Sequence, residues 1–369
     1  MRVCVTGATG FLGAHIVRRL CKRGDDVLVT CRNPARLGAL ADVQTRRARA
    51  DIRDYRGLRR AFKGAEVVFH TAGYVGSRPT DWAWRVNAEG PLVAVEAAAA
   101  EGCRRVVLTS SISAIGLPPD DRPADERTRY PPEWMGLTYP DSKHEGERVA
   151  VDAAARHGIE LVVVNPGYVL GPPLDCSPTG QTSARIVGNY LRGRLPAVIA
   201  APMNFVDVAD VAAGHLLAAE SGTPGERYIL GGRNTTWPKL IDRVAKLSAV
   251  HHPVVVLPRE IARLARVRDA FGVPGPLAAE GYELMAQDWR FSSAKAKREL
   301  GYRSRPLDQT LRATIDWYLD LIDHRAFDNA HRSSLSTLAA GTRVLSKLRL
   351  LEPVKLGQRI TGRRVIAGI

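Results

Sequence analysis

Two side chains that could transfer a proton lie four residues apart, at Tyr139 and Lys143 in the run Tyr-Pro-Asp-Ser-Lys. If this segment is a helix, the spacing places both side chains on one face. A free phenol, with a pKa of about 10, is a poor acid or base at neutral pH, but a nearby ammonium group lowers that pKa because it stabilises the phenolate. The pair therefore predicts proton transfer at a substrate oxygen, although the same spacing also occurs by chance in many helices.

Two adjacent serines, Ser110 and Ser111, follow an apolar run at residues 105–109 that predicts a buried strand. In open α/β folds, ligands bind at the carboxyl ends of the parallel strands. We therefore expect a serine hydroxyl at the edge of the sheet where the tyrosine would act.

A glycine-rich turn lies between a predicted strand at residues 2–6 and a predicted helix at residues 11–23. Glycines let such a turn approach a pyrophosphate group, which then lies on the helix N-terminus. The glycine spacing alone is a weak signal, but the strand before it and the helix after it favour dinucleotide binding. The residues assigned to this loop are Gly7, Thr9, Gly10, Phe11, Leu12 and Gly13.

The end of the second predicted strand, at residues 27–31, bears on the choice of cofactor. An acidic residue there would bind the ribose hydroxyls of NAD, whereas a basic residue would neutralise the additional phosphate of NADP. This chain has Arg32 and no carboxylate at that place, which favours NADP(H) and leaves NAD(H) possible; Arg32 could also be an ordinary surface residue. Asp51 and Ile52, after the third predicted strand, could flank the adenine, with a loop cap as the other interpretation of Asp51.

Short apolar runs alternate with amphipathic stretches up to about residue 170, which is typical of a parallel sheet with crossover helices. We therefore expect an α/β Rossmann fold, a doubly wound parallel sheet, over residues 1–170, with a smaller substrate-binding cap over residues 171–324 whose strands and helices partly return to the sheet. Residues 325–369 form a separate basic tail. The predicted strands are residues 2–6, 27–31, 45–50, 66–70, 105–109 and 160–165, and the predicted helices of the sheet domain are residues 11–23, 55–62, 88–101 and 141–157.

Composition narrows the class of protein. The five cysteines lack paired spacing and histidine neighbours, so we expect reduced thiols, no metal site and a cytoplasmic protein. No 18-residue apolar stretch predicts a membrane span. The net charge is +15, of which nine basic and two acidic residues in the tail supply +7. No nucleic-acid-binding module is recognised, so nucleic acid is not expected as a partner.

These motifs together resemble the extended short-chain dehydrogenase/reductase family of the NAD-dependent epimerase/dehydratase superfamily, and specifically its dihydroflavonol-reductase and 3β-hydroxysteroid-dehydrogenase branch. The resemblance covers roughly residues 1–320. It implies that Tyr139 is the general acid or base, while Lys143 lowers its pKa and holds the nicotinamide ribose. Ser111, five residues before Gly116 as in the family pattern, would bind the substrate oxygen, and Asn87 would belong to the proton relay.

The resemblance also implies further cofactor contacts and one departure. The cofactor-facing turns are assigned to Thr71, Ala72, Gly73, Pro166, Gly167 and Val169. Asn165 stands where the family more often has an arginine, so the resemblance gives Asn165 no role.

The implied activity is NADP(H)-dependent interconversion of a ketone and a secondary alcohol on a CH–OH or C=O group. Nucleotide-sugar epimerases and dehydratases share the fold and the triad, and a non-catalytic NADP-binding regulator is a third possibility. The sugar enzymes usually have an arginine in the segment that reads Ile-Ala-Ala-Pro-Met at residues 199–203 here, which favours a hydrophobic flavonoid-, steroid- or terpenoid-like substrate. Its candidate contacts are Tyr74, Ser113, Trp134, Tyr168 and Met203.

Two further partners are expected. Many relatives dimerise through the tyrosine-bearing helix and its neighbour, and the alanine-rich residues 88–101 permit such close packing, so a homodimer is expected. The tail has leucines at near-helical spacing with basic residues opposite, which predicts peripheral membrane contact through residues 325–369; a basic helix docked on the enzyme or a partly disordered tail is the alternative.

Overall fold

The computed structural model describes residues 1–76, 78–175, 183–271, 279–324, 339–341, 351, 354, 358 and 364–368. Its strands are β1 Arg2–Thr6, β2 Asp26–Cys31, β3 Arg46–Arg49, β4 Val67–His70, β5 Arg105–Thr109, β6 Glu160–Pro166, β7 Tyr168–Leu170, β8 Ala197–Ile199, β9 Pro202–Asp207, β10 Arg227–Leu230, β11 Arg233–Thr236, β12 Val254–Leu257 and β13 Ile366–Ala367.

The helices are α1 Phe11–Arg23, α2 Tyr55–Phe62, α3 Thr80–Trp84, α4 Gly90–Ala100, α5 Thr138–His157, α6 Arg185–Leu191, α7 Val208–Ser221, α8 Trp237–Ser248, α9 Ile261–Ala270, α10 Ala279–Ala286, α11 Ala294–Leu300 and α12 Leu307–Asp323. None of the helices in the described part of the chain is both long and apolar enough to cross a bilayer.

Seven strands form one parallel sheet in the order β10-β6-β5-β4-β1-β2-β3. Its central strands are apolar because both faces are covered, by α1, α7 and α11 on one side and by α2, α4 and α5 on the other. The predicted doubly wound Rossmann fold is confirmed. The strand order reverses between β1 and β4, so a crevice opens at their carboxyl ends.

Two predicted elements differ from the structure. The helix expected over residues 88–101 begins at Gly90, and a wider π-helical turn at Arg85–Glu89 precedes it and carries Asn87. The seventh strand, β10, was not among the predicted strands, because its apolar run is short and its partner β6 lies about sixty residues earlier.

The chain from Tyr168 onward also forms two three-stranded sheets, β11-β9-β7 and β13-β12-β8. In the second sheet, Ile366 and Ala367 pair antiparallel with β12 and are buried. Tyr190 Oη donates to the Gly368 carbonyl over 3.0 Å, and Gly368 N donates to Asp242 Oδ1 over 2.9 Å. The end of the predicted tail is therefore a strand of this sheet, whereas the predicted amphipathic segment, residues 335–349, lies largely outside the described residues.

Candidate active site

A cleft of about 280 Å³ lies at the carboxyl ends of β1, β2 and β4. Most of the predicted cofactor residues line it, namely Gly7, Thr9, Gly10, Arg32, Asp51, Ile52, Thr71, Ala72 and Gly73. Tyr74, predicted as a substrate contact, lies on the same wall. The lining also includes residues that the sequence did not assign to the cofactor: Thr30, Cys31, Ala50, Arg53, Trp82 and Val86.

The glycine turn has the geometry that a dinucleotide cradle requires. Gly7 has φ +66°, and a β-carbon there would lie 2.5 Å from Ala72 N. A β-carbon on Gly13 would lie 2.2 Å from the Gly7 carbonyl oxygen, so glycine is needed for α1 to pack this closely. Gly10 caps α1 without a side-chain hydrogen bond, and the first turn of this helix holds no acidic residue. The helix N-terminus at the cleft is thus suited to a phosphate.

The adenosine end of the cleft is basic. Arg32 is exposed at the end of β2. Asp51 pairs with Arg53 at 2.9 Å, and this hydrogen bond holds the pKa of the Asp51 carboxyl below its ordinary value. The Arg53 guanidinium also lies 4.7 Å from the centre of the Trp82 ring. Since the cleft's carboxylate is already neutralised, Arg32 is available for an anionic ligand.

Lys143 lies between the end of β5 and the cleft. Its Nζ donates to the Thr109 carbonyl over 3.1 Å, and a β-carbon on Gly73 would lie 3.1 Å from the same atom. Burial lowers the pKa of Lys143 to about 8, and the Glu147 charge opposes that shift. Burial, with the charge of Lys143, lowers the pKa of His70 to about 3, so His70 is neutral beside it.

Tyr139 and Ser111 form the second part of the site. Burial raises the pKa of the Tyr139 phenol, and its hydrogen bond with Ser111 opposes that effect. The lowered pKa expected from Lys143 is therefore not seen in this structure, because desolvation of the phenolate dominates. Ser111 Oγ accepts from Ser113 N at 3.1 Å and from Ser113 Oγ at 2.9 Å. Its own proton therefore remains free for Tyr139 or for a substrate oxygen.

Asn87 joins the cleft to the tyrosine-bearing helix. Its Oδ1 accepts from Tyr74 N at 2.8 Å, and its Nδ2 donates to the Tyr74 carbonyl at 2.9 Å and to Ser142 Oγ at 3.1 Å. The backbones approach closely here, since a β-carbon on Gly146 would lie 1.9 Å from the Asn87 carbonyl oxygen. Asn87 is thus placed to fix the cleft wall against α5.

An ion pair with a buried carboxylate lies beside Lys143, and the sequence did not predict it. Glu147, one turn further along α5, pairs with Arg227 of β10 at 2.8 Å. Asn165 Nδ2 donates to Glu147 Oε2 at 3.0 Å and to the Ser111 carbonyl at 2.9 Å. Asn165 therefore has a structural role, since it binds the Glu147 carboxylate. The arginine that neutralises Glu147 is Arg227 on β10, whereas Asn165 lies on β6. The i, i+4 spacing of Lys143 and Glu147 was the available signal.

The remaining predicted residues lie outside the lining of the cleft. Pro166 ends β6, Gly167 connects β6 to β7, and Val169 lies within β7. Tyr168 is half-buried against Phe205 and Trp237. Met203 is buried in the core. Trp134 is exposed and packs beside Trp84 and His144, while Phe11 and Leu12 begin α1 and pack toward the core.

Replacing Glu147 with Gln should move the alkaline loss of activity to lower pH. The carboxylate favours the Lys143 ammonium, so its removal lowers the Lys143 pKa further below about 8. The proton is then lost at a lower pH, by about one unit. The pH profile of kcat/KM tests this. Glu145→Gln is the matched control, because Glu145 lies on the same helix but pairs with exposed Arg148. An unshifted profile in Glu147→Gln would contradict the assigned electrostatic role.

The fold and the site define an enzyme of the extended short-chain dehydrogenase/reductase class, in which a Rossmann sheet carries a nucleotide cleft beside a serine, a tyrosine and a lysine. The chain belongs to the NAD dependent epimerase/dehydratase family, whose profile matches residues 3–231.

Several relatives with assigned names are reductases. A Synechocystis sp. protein provisionally named a dihydroflavonol 4-reductase is 31% identical over 326 residues, which cover 85% of this chain and 93% of the relative. Cinnamoyl-CoA reductase 1 of Oryza sativa subsp. japonica is 34% identical over 326 residues, covering 85% of this chain and 89% of the relative.

Among solved structures, the nucleoside-diphosphate-sugar epimerase PA4631 from Pseudomonas aeruginosa matches with a TM-score of 0.73 and 26% identity. The match covers 89% of this chain and 99% of that one. Reductases and epimerases therefore both occur among the similar proteins.

Proposed function

We propose that the protein is an NADP(H)-dependent oxidoreductase that interconverts a ketone and a secondary alcohol on a hydrophobic substrate. The observation that carries this proposal is the placement of the Lys143 ammonium, 3.1 Å from the Thr109 carbonyl and close to Gly73 of the cleft wall, on the helix that presents Tyr139 to Ser111. Residues 1–170 would hold the cofactor, and residues 171–324 would bind the substrate.

The chain's own residues would act on the carbonyl oxygen. A reduced nicotinamide bound in the cleft would supply the hydride. Tyr139 would donate its proton to the oxygen as negative charge develops there, and Ser111 would stabilise that charge through its free proton. Lys143 would position the cofactor's ribose and favour the tyrosinate that remains. In the oxidative direction Tyr139 would accept the proton instead.

Residues 199–203 support the proposal of a hydrophobic substrate. Nucleotide-sugar epimerases and dehydratases usually have an arginine in this segment. Here Ile199, Ala201 and Met203 are buried apolar residues, so this stretch offers no cation to a diphosphate. The named reductases among the relatives support the same choice.

The direct test is oxidation of NADPH and of NADH by the purified protein over a panel of hydrophobic ketones, cinnamoyl-CoA and nucleotide sugars, with product mass recorded. NADPH-dependent reduction of a ketone is the expected result. Isomerisation of a sugar without net cofactor turnover would instead establish an epimerase.

Replacing Arg32 with Asp should reverse the cofactor preference. The arginine would form charge-assisted hydrogen bonds with the additional phosphate of NADP, whereas an aspartate would repel it. We expect the ratio of kcat/KM for NADPH to that for NADH to fall roughly 10- to 100-fold. Arg36→Asp is the matched control, since exposed Arg36 follows in the same loop but does not line the cleft. Equal effects of the two variants would reduce the role of Arg32 to general surface charge.

Two further assignments belong to this proposal. A homodimer would form through α4 and α5, on which Leu92, Val93 and Val149 are half-buried in the single chain. A cytoplasmic location agrees with the four cysteines of the described residues, all of which are free thiols.

A further inference from the structure

Helix α9 has an unusual distribution of side chains. Small residues, Ala262 and Ala265, face the protein and are buried, while Leu264 and Val267 are 65% and 56% exposed. Phe271, directly after the helix, is 80% exposed. Among the described residues only eight large apolar side chains are exposed. Three of these eight, Leu264, Val267 and Phe271, lie within two helical turns of one another. Clustered exposure of this kind marks a contact surface rather than ordinary scatter.

Basic groups surround this stripe, which we call the α9 face and define as Leu264, Val267 and Phe271. The Arg266 side chain is 74% exposed although it pairs with Glu283. Glu283 itself is only 15% exposed, so the cation rather than the carboxylate reaches the solvent. Arg263 is exposed and has no carboxylate partner among the described residues. The α9 face thus presents apolar groups with a positive border.

The position of α9 relates this surface to the catalytic edge. Asp269 accepts a hydrogen bond from Ala279 N at 2.7 Å, which fixes α9 to α10. Glu280 of α10 accepts a hydrogen bond from Thr138 N, directly before Tyr139. The hydrogen bonds from Ala279 N and from the Arg268 side chain lower the pKa of the Asp269 carboxyl, and the charge of Arg78, on the loop that follows Tyr74, adds a smaller effect in the same direction. The two helices therefore lie beside the start of the catalytic helix and the wall of the cleft.

We propose that the α9 face docks on an anionic lipid surface. Apolar side chains bordered by arginines match the two components of such a surface, since the side chains enter the acyl boundary and the guanidinium groups meet the phosphates. Bound in this way, the protein holds its catalytic edge close to the bilayer, where a hydrophobic substrate concentrates. The docking itself requires no turnover, so it is tested separately from the reaction.

The experiment is flotation of the full-length protein with vesicles of phosphatidylcholine alone or with equal parts of phosphatidylglycerol. We expect binding to the anionic vesicles that high salt weakens. The combined substitution Leu264→Gln, Val267→Gln and Phe271→Gln should lower the bound fraction about tenfold or more. Arg263→Glu should weaken binding to the anionic vesicles. An unchanged dissociation constant for NADPH shows that the variants are folded.

Tyr55→Gln is the matched control, because α2 carries three arginines but a single exposed apolar residue, and its binding should equal that of the unmodified protein. A protein that does not float with anionic vesicles overturns the proposal, as does a triple variant that floats equally well. If the triple variant instead converts a dimer to a monomer in size-exclusion chromatography while vesicles bind neither form, the face is a contact between copies. If only Arg343→Gln, Lys347→Gln and Arg349→Gln abolish flotation, the tail makes the contact and the proposal fails.

Discussion

Replacing Tyr139 with Phe should lower kcat about a thousandfold or more and leave the dissociation constant for NADPH nearly unchanged. The substitution removes only the phenol oxygen, so the packing of α5 is retained. It also removes the proton that would neutralise the developing alkoxide. The hydrogen bond between Tyr139 and Ser111 places that oxygen at the catalytic edge. Stopped-flow or steady-state NADPH absorbance measures kcat, and fluorescence titration measures cofactor binding.

Tyr190→Phe is the matched control for the loss of a buried phenol. The single Tyr190 hydroxyl proton lies within reach of the Val250 and Gly368 carbonyls, away from the cleft. Loss of this hydroxyl should therefore affect the free energy of unfolding by about 1 kcal/mol rather than kcat. Turnover that survives in Tyr139→Phe would show that another group transfers the proton. Full NADPH binding without activity in the unmodified protein would instead favour a regulator.

Replacing Lys143 with Met should lower kcat/KM about a thousandfold and also weaken NADPH binding. Methionine is similar in length but carries neither charge nor donor. The Thr109 carbonyl then loses its hydrogen bond, and the cleft wall at Gly73 loses its neighbouring cation. Unlike Tyr139→Phe, this variant should affect both chemistry and cofactor affinity, so the two measurements distinguish the roles of the residues.

Lys295→Met provides the comparison for removal of a largely buried lysine. Lys295 pairs with Glu226 and lies 4.6 Å from the centre of the Tyr228 ring, outside the site. The Lys295→Met variant should therefore have the same kcat/KM as the unmodified enzyme. If Lys143→Met retains activity within about tenfold of the unmodified enzyme, the ammonium does not take part in catalysis.

The features predicted correctly are those set by local pattern. The glycine turn, six of the seven strands of the central sheet and helices α1 and α2 follow from apolar periodicity and from residues with special backbone preferences. Residues on consecutive βα turns meet at one edge of the sheet, whatever the length and conformation of the loops, because parallel strands share their direction. The sequence therefore indicated most of the residues that line the cleft. Their role in holding a cofactor, and the catalytic roles of Ser111, Tyr139 and Lys143, stay predictions.

Features that depend on distant partners were not predicted. Arg227 pairs with Glu147 only because β10 adds to the sheet beside β6, and nothing near either residue indicates that pairing. The raised pKa of Tyr139 depends on how completely the cap and α5 exclude water, which the spacing of Tyr139 and Lys143 does not reveal. The contact of the Trp82 ring, on α3, with the Arg53 guanidinium was not predicted either, because it joins two segments that are separate in sequence.

The pairing of β13 with β12 also has a consequence for synthesis of the protein. The central sheet has all seven strands once residue 230 has left the ribosome, whereas the β13-β12-β8 sheet needs residues 366 and 367. The nucleotide-binding half can thus fold while translation continues, and this outer sheet forms only afterwards. If translation stalls after residue 324, the nascent chains should bind cofactor but lack strand β13 of the outer sheet. We expect chaperones to bind such chains at the unpaired edge of β12.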